Sequence, residues 1–309
     1  MRRFRPVVAS VVLALLANIV MVASADAQQP ARPLLPVSPG GLPVIPFMEG
    51  WYANEDGSIT VSFGYNNRNV DDVTVPLGEN NRLEPAQFDG IQPSIYYSGR
   101  NPGVFAVTIP ASKLGESVWW HIKTGKLEEL KVPGDANSSA YELDRNPRPQ
   151  GSVQPFIWFK NESRGSGPEG VVAAQTKTIS VGAPLTIEVH TEDPSVRDPS
   201  NPLFAKPLDS RVTWYEHQGP AGVSFTEHAS TPFIAVPAQV NLSTRVTVPA
   251  QSSRVAIPAG KGPARVIATF SEPGEYIVRA RVDNWKASDS DGLDQCCWSN
   301  AYQRVQVTP

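Results

Sequence analysis

Strict alternation of apolar and polar residues, turn signals recurring along the chain, and a proline content near twice the ordinary share of about 5% together predict an all-β protein built as two tandem sandwiches. Ile59, Val61 and Phe63 are separated by polar or small residues, as are Phe105, Val107 and Ile109, which is the period of half-buried strands. Helical periodicity is absent. Proline takes 30 of 309 positions and charged residues 18%, against about 25% charged residues in ordinary domains, a composition that favours strands and turns over long helices.

The elements follow in order from the N-terminus. Arg2, Arg3 and Arg5 form a basic start, Val7 to Val22 an apolar stretch, and Ala25-Asp26-Ala27 a small-x-small cleavage pattern, so residues 1–27 read as a signal peptide. Ala23-Ser24-Ala25 is a second cut site, and an uncleaved anchor is the alternative, since the stretch falls just short of the ~20 residues that span a bilayer. A cut after Ala27 leaves 282 of the 309 residues, enough for two domains with their own cores. The expected product is exported, periplasmic or extracellular, and without stable membrane insertion. Its formal charge moves from −3 to −5 when Arg2, Arg3, Arg5 and Asp26 leave. No basic field remains to hold nucleic acid.

Residues 28–46 hold Pro30, Pro33, Pro36, Pro39, Pro43 and Pro46 around Gly40-Gly41, the composition of an extended arm; alternatively Leu42, Val44 and Ile45 dock as a first edge strand, where proline is tolerated. Residues 47–146 carry six or seven short strands broken by Asp56-Gly57, Asn66-Asn67, Gly99 to Gly103 and Gly125, the size of one sandwich. A Pro-, Gly-, Asn- and Ser-rich linker over 147–169 holds the apolar run Pro155-Phe156-Ile157-Trp158-Phe159. Strand signals resume over 170–309. There Val236-Pro237-Ala238-Gln239 recurs as Val248-Pro249-Ala250-Gln251, which reads as a local hairpin, since repeat arrays need at least three copies.

Thr213-Trp214-Tyr215-Glu216-His217-Gln218-Gly219-Pro220 and Phe270-Ser271-Glu272-Pro273-Gly274-Glu275-Tyr276-Ile277-Val278 resemble PKD-like and related bacterial immunoglobulin-like domains, over roughly residues 170–309. The resemblance implies that Trp214 sits in the core and that Tyr276 anchors a corner of the sandwich; the first domain looks immunoglobulin-like by strand pattern alone. Pro273-Gly274 independently reads as a turn, after which the Tyr276 ring is expected to be buried with its hydroxyl on a backbone acceptor. As a whole the chain resembles uncharacterised exported bacterial proteins carrying such modules, and a shared sandwich transmits no function.

Candidate chemistry is sparse. Cys296 and Cys297 are the only cysteines; as neighbours they form a vicinal disulfide ring, stay as two thiols, or bridge to another chain, because an ordinary intrachain bridge needs Cα atoms farther apart. In an oxidising compartment the ring next to Trp298 is the leading expectation. Asp283, Asp289, Asp291 and Asp294 crowd one loop but lack the EF-hand spacing. His121, His190, His217 and His228 follow no zinc spacing, and no nucleophile elbow, phosphate loop or His-Glu-x-x-His occurs. Neither a metal nor a cofactor is expected. Trp119-Trp120 is more informative: alternation sends one indole inward and one outward, so that the pair offers a stacking platform for a sugar ring or an inter-domain contact. Asn137, Asn161 and Asn241 open glycosylation sequons.

These readings converge on a non-catalytic exported protein that recognises a polysaccharide, an envelope component or an extracellular protein. The alternatives are a hydrolase or redox accessory enzyme whose site assembles only in three dimensions, with His217, His228 and a carboxylate as the residues to watch, and a spacer with a fixed inter-domain angle.

Overall fold

The computed structural model describes residues 41–309 except 221, 235–238, 242–245, 249–252 and 291–295, and for 239–241 and 246–248 only the backbone. The signal peptide and most of the arm lie outside the described residues. The first lobe runs β1 (Val44–Ala53), β2 (Ile59–Asn67), β3 (Val73–Thr74), β4 (Asn81–Glu84), β5 (Ile95–Tyr96), β6 (Gly99–Ile109), β7 (Val118–Ile122) and β8 (Leu130–Gly134). The second runs β9 (Phe156–Trp158), β10 (Val171–Val172), β11 (Lys177–Ser180), β12 (Leu185–Glu192), β13 (Ser210–Gln218), β14 (Val223–Glu227), β15 (Gln239–Asn241), β16 (Val246–Val248), β17 (Arg254–Ile257), β18 (Lys261–Phe270), β19 (Gly274–Asp283) and β20 (Trp298–Thr308). Helix among the described residues is limited to three-residue 3₁₀ turns, so the chain is all-β.

In the first lobe β1-β2-β6 faces β4-β7-β8, with β3-β5 as a small separate ladder. β1 begins at Val44, so the last three residues assigned to the arm are strand. Pro46 is accommodated because β1 lies at the edge of its sheet, paired with β2 at that position. Alternation fills the core between the sheets: Val61 and Phe63 from β2, Phe105 and Val107 from β6, and Trp120 from β7. The Phe63 and Phe105 rings stack, and both meet Trp120 edge-on. Trp120 Nε1 donates to Asn81 Oδ1, so the buried indole keeps its hydrogen bond.

The second lobe sets β14-β18-β12-β9 against β10-β20-β19-β13-β17, with β11 continuing beside β20. The partition of β9, β12, β14 and β18 from β13, β19 and β20 is that of a seven-stranded immunoglobulin-type sandwich. The insertion before β18 forms the β15-β16 hairpin and then returns β17 to the open edge of β13. Trp214 is in the core. Tyr276 is buried, and its hydroxyl donates to the Glu272 carbonyl 2.9 Å away, across the Pro273-Gly274 turn. This is a tyrosine corner: the ring fills the sandwich while the phenol ties down the turn that feeds β19.

The lobes meet along the outer face of β13-β19-β20. Ser94 N donates to the His217 carbonyl, Glu216 N to the Tyr97 hydroxyl, and Asn300 Nδ2 to the Gly103 carbonyl. The Tyr302 hydroxyl reaches the Val104 carbonyl at 3.0 Å. Trp298 presses on Gly103, where an added Cβ would lie 1.6 Å from its ring and where φ is +53°, a conformation costly for other residues. The linker is held too. The Asp289 carboxylate accepts from Gln150 N, Ser152 N and Ser152 Oγ, and Asn284 Nδ2 donates to the Val153 carbonyl.

Tyr276→Phe removes one hydrogen bond and is expected to cost about 1 kcal/mol in urea unfolding. Gly103→Ala, which combines a steric clash with an unfavourable φ, is expected to lower the urea midpoint further. Equal midpoints for Gly103→Ala and the wild type would show that the seam does not contribute to stability as described.

Candidate functional site: a cleft at the seam of two sandwiches

Where the two lobes diverge they leave a cleft of about 490 Å³. Ile91, Phe105 and Leu77 supply one wall, and Tyr302, His217 and Val172 the other. Its rim exposes three branched aliphatic side chains, Leu77 at 39%, Ile91 at 41% and Val172 at 47%; their clustering at one cleft is the informative feature, since single exposed apolar residues are ordinary. Glu169, Glu275 and Arg304 add charges of both signs. The second wall owes its shape to an interruption in pairing. β10 pairs with β20 at Ala301 and Tyr302, and pairing resumes with β11 only at Val305.

His217 fixes the inner wall. Its Nε2 donates to the Ile91 carbonyl at 2.8 Å, which sets the neutral Nε2–H tautomer and leaves Nδ1 as an acceptor. Its ring meets Tyr302 edge-on, 5.2 Å between centroids. Burial first, and then the charge of Arg279, push the His217 imidazole down to about 3 from its ordinary 6.5. Gln218 Nε2 donates to the Gly90 and Gln92 carbonyls. Glu216 is buried and accepts from Val223 N at 2.9 Å; burial pushes its carboxyl up to about 7 from 4.5, against that hydrogen bond.

The residues singled out from sequence fall elsewhere. Alternation divides the Trp119-Trp120 pair: Trp120 is in the core and Trp119 is half-exposed on the outer face of β7, with Lys131 Nζ 4.8 Å from its ring. His121, beside it on that face, contacts Glu129 and Arg82. Cys296 and Cys297 are buried with their sulfur atoms in contact, and Cys296 Sγ faces the Ser152 carbonyl. The Asp-rich loop is divided: Asp283 pairs with Arg211, Asp289 holds the linker, and Asp291 and Asp294 lie outside the described residues. His228 is half-buried and bonded to Ser230, with no partner in common with His217. His190 stacks on Trp158. Among the described residues no group of three or more His, Cys, Asp or Glu is arranged to hold a metal, and no helix is long and apolar enough to cross a membrane. Sequence reading missed the cleft because its walls come from segments distant in the chain, Leu77, Ile91 and Phe105 against Val172, His217 and Tyr302; the one local signal was Ile91 beside Gln92-Pro93 in a polar loop.

Fold and site together define an all-β protein of two sandwich lobes, the second of immunoglobulin type, with a cleft at their junction. No family model and no curated protein matches the chain. Among solved structures it is similar to the D0-D1 domain of intimin, at 14% identity over 85% of this chain and 98% of that one with a TM-score of 0.24. It is also similar to the Yersinia pseudotuberculosis adhesin InvE, at 9% over 86% of this chain and 58% of that one with a TM-score of 0.23. The collagen adhesin CNA from S. aureus aligns at 11% identity over 86% of this chain and 92% of that one, with a TM-score of 0.19. At such TM-scores these likenesses carry no argument, and the fold rests on the strand order above.

Glu216 and His217 act on stability with opposite signs. The raised carboxyl contributes stability fully below pH 4.5, lost as pH rises through about 7; the depressed imidazole contributes fully above pH 6.5, lost as pH falls through about 3. Between pH 4.5 and 6.5 the two offset each other. Glu216→Gln is therefore expected to gain melting temperature with rising pH across that window, relative to the wild type, and His217→Gln to lose it. Three parallel calorimetric profiles would rule this coupling out.

Proposed function

We propose that the protein is an exported, non-catalytic binding module of two sandwich domains, 47–146 and 170–309 joined by 147–169, a linker that also lends the second sandwich its edge strand β9, and that it takes an extracellular or envelope protein in the cleft between them. The carrying observation is the exposure of Leu77, Ile91 and Val172 around a cleft whose depth is fixed by hydrogen bonds across the seam. Clefts with apolar walls and a few fixed polar groups, set at domain junctions, are the usual place for a ligand. Branched aliphatic rims suit apolar side chains of a protein partner, whereas a sugar ring stacks on an open aromatic face. A polysaccharide on Trp119 is the second reading; it is favoured by the half-exposed indole and opposed by the Lys131 ammonium over that ring. Cys296 and Cys297 are proposed to form a vicinal disulfide that keeps the loop before Trp298 in place, with no part in binding.

Two measurements test this reading. Leu77→Glu and Val172→Glu, both at exposed positions, are expected to abolish capture of the partner from an envelope extract at unchanged melting temperature, while Trp119→Ala retains it. Glycan-array binding that disappears in Trp119→Ala would instead select the second reading, and failure of both assays would retire the module. For the cysteines, alkylation of the denatured protein is expected to add no mass without reductant and two adducts after reduction.

A further inference from the structure

The outer face of β13, β17 and β19 gathers four arginines, Arg211, Arg254, Arg279 and Arg281, with Asp283 the carboxylate in their midst. Asp283 already serves Arg211 and, at 3.5 Å, Arg281. Arg279 differs from the others. It is 2% exposed, its guanidinium lies 4.5 Å over the Tyr215 ring, and among the described residues it has no ion pair and its Nε and Nη1 have no hydrogen-bond partner. Its charge is felt at Tyr65 of the first lobe and at His217 and Tyr302 of the second. A buried guanidinium is stable only when its charge and its donors are met, and a cation–π contact meets no N–H.

Further donors converge on this place. The Tyr65 hydroxyl accepts from Tyr97 N, and the Tyr97 hydroxyl accepts from Glu216 N. Each phenol thereby uses its oxygen and keeps its proton for another acceptor. Tyr97 meets edge-on, 5.3 Å between centroids, the Tyr215 ring that lies under the Arg279 guanidinium, and the Arg279 charge acts on Tyr65. Burial raises both well above the ordinary tyrosine value, so neither becomes an anion that would neutralise Arg279. His217, held neutral, supplies no competing cation. Of the carboxyl groups that act on Tyr97, Asp72 accepts from Ser98 N and Glu216 accepts from Val223 N through Oε2, and neither forms an ion pair with Arg279 among the described residues.

We propose that the seam between the lobes binds a small inorganic anion on Arg279, with the Tyr65 and Tyr97 hydroxyls as co-donors, so that the anion fastens one sandwich to the other. This goes beyond the binding reading of the cleft and does not rest on it. The cleft is the route of entry, because Tyr302, the register partner of Arg279 on β20, and Ile277, two residues before Arg279 on the same face of β19, both line its inner wall. Phosphate, sulfate and halide share the chemistry the site demands, a compact charge that accepts several hydrogen bonds.

The test uses the full mature chain. At constant pH and ionic strength, inorganic phosphate titrated into a salt that cannot enter the seam, such as a gluconate, is expected to raise the melting temperature along a saturating curve, since a ligand bound only by the folded state stabilises by mass action. Chloride and sulfate arms identify which anion binds tightest. Arg279→Gln is expected to remove the saturating component and leave the shallow linear salt effect, while Arg279→Lys retains part of it. A linear response in the wild type, or an unchanged saturating curve in Arg279→Gln, overturns the proposal. Should Arg279→Gln fail to fold, crystals of the native protein grown in bromide decide. An anomalous peak within hydrogen-bonding distance of Arg279 Nε or Nη1 supports the site, and solvent alone at that position refutes it.

Discussion

The constraint on which the rest of the molecule depends is the burial of a polar sheet face. In a lone sandwich the outer side of β13-β19-β20 meets water, and residues such as His217, Arg279, Asn300 and Tyr302 suit that setting. Here the first lobe covers it, and Thr213, His217, Arg279 and Asn300 are all nearly inaccessible. Water is no longer present to satisfy them, so specific partners must. The first lobe supplies backbone carbonyls at Ile91, Gly103 and Val104 and a phenol at Tyr97. Hydrogen bonds to fixed carbonyls tolerate little rotation or slip, which makes the angle between the sandwiches a consequence of the sequence of this one face.

That rigidity connects fold to function. Two sandwiches on a free Pro- and Gly-rich linker would sample many orientations, and a cleft between them would exist only part of the time. The linker is instead tied down by Asp289 and Asn284 from the far end of the second lobe. Desolvation alone would raise the Asp289 carboxyl, yet the Ser152 and Gln150 hydrogen bonds hold it below its ordinary value, so the clamp is charged near neutral pH. A preformed cleft spares its ligand the cost of ordering the receptor.

Much of the architecture was legible because alternation is a local signal. The inward set of β2 and β6, the division of Trp119 from Trp120, and the corner at Tyr276 each depend on residues within a few positions of one another, where periodicity and turn chemistry are decisive. The seam was not legible, for the converse reason. His217 meets Ile91 across 126 positions, and Asn300 meets Gly103 across 197, and no short-range pattern marks a polar residue on a strand as buried by another lobe. His217 was singled out only as a possible partner of His228, and nothing local marks Arg279 as covered. Gly103 read as a turn residue, although its lack of a side chain also makes room for Trp298. The Asp-rich loop illustrates the same gap: its composition and spacing gave no role to its carboxylates, whereas Asp283 pairs with arginine and Asp289 holds the linker.

Aromatic residues drew attention in the sequence because exposed indoles are useful for recognition, yet the aromatic side chains of this chain largely serve as structure. Trp120, Trp214 and Trp298 are among its largest fully buried side chains, and the half-exposed Trp119 and Trp158 rings carry Lys131 and Arg164 over them. A ring already engaged with a cation must release it before it can stack on a sugar, and that release costs part of what stacking would contribute. The rim of the cleft carries no such prior engagement, since Leu77, Ile91 and Val172 present apolar surface to water and would lose only hydration on being covered. Recognition on this molecule is therefore favoured at the junction that long-range folding creates, and disfavoured on the sheet faces that the local pattern advertises.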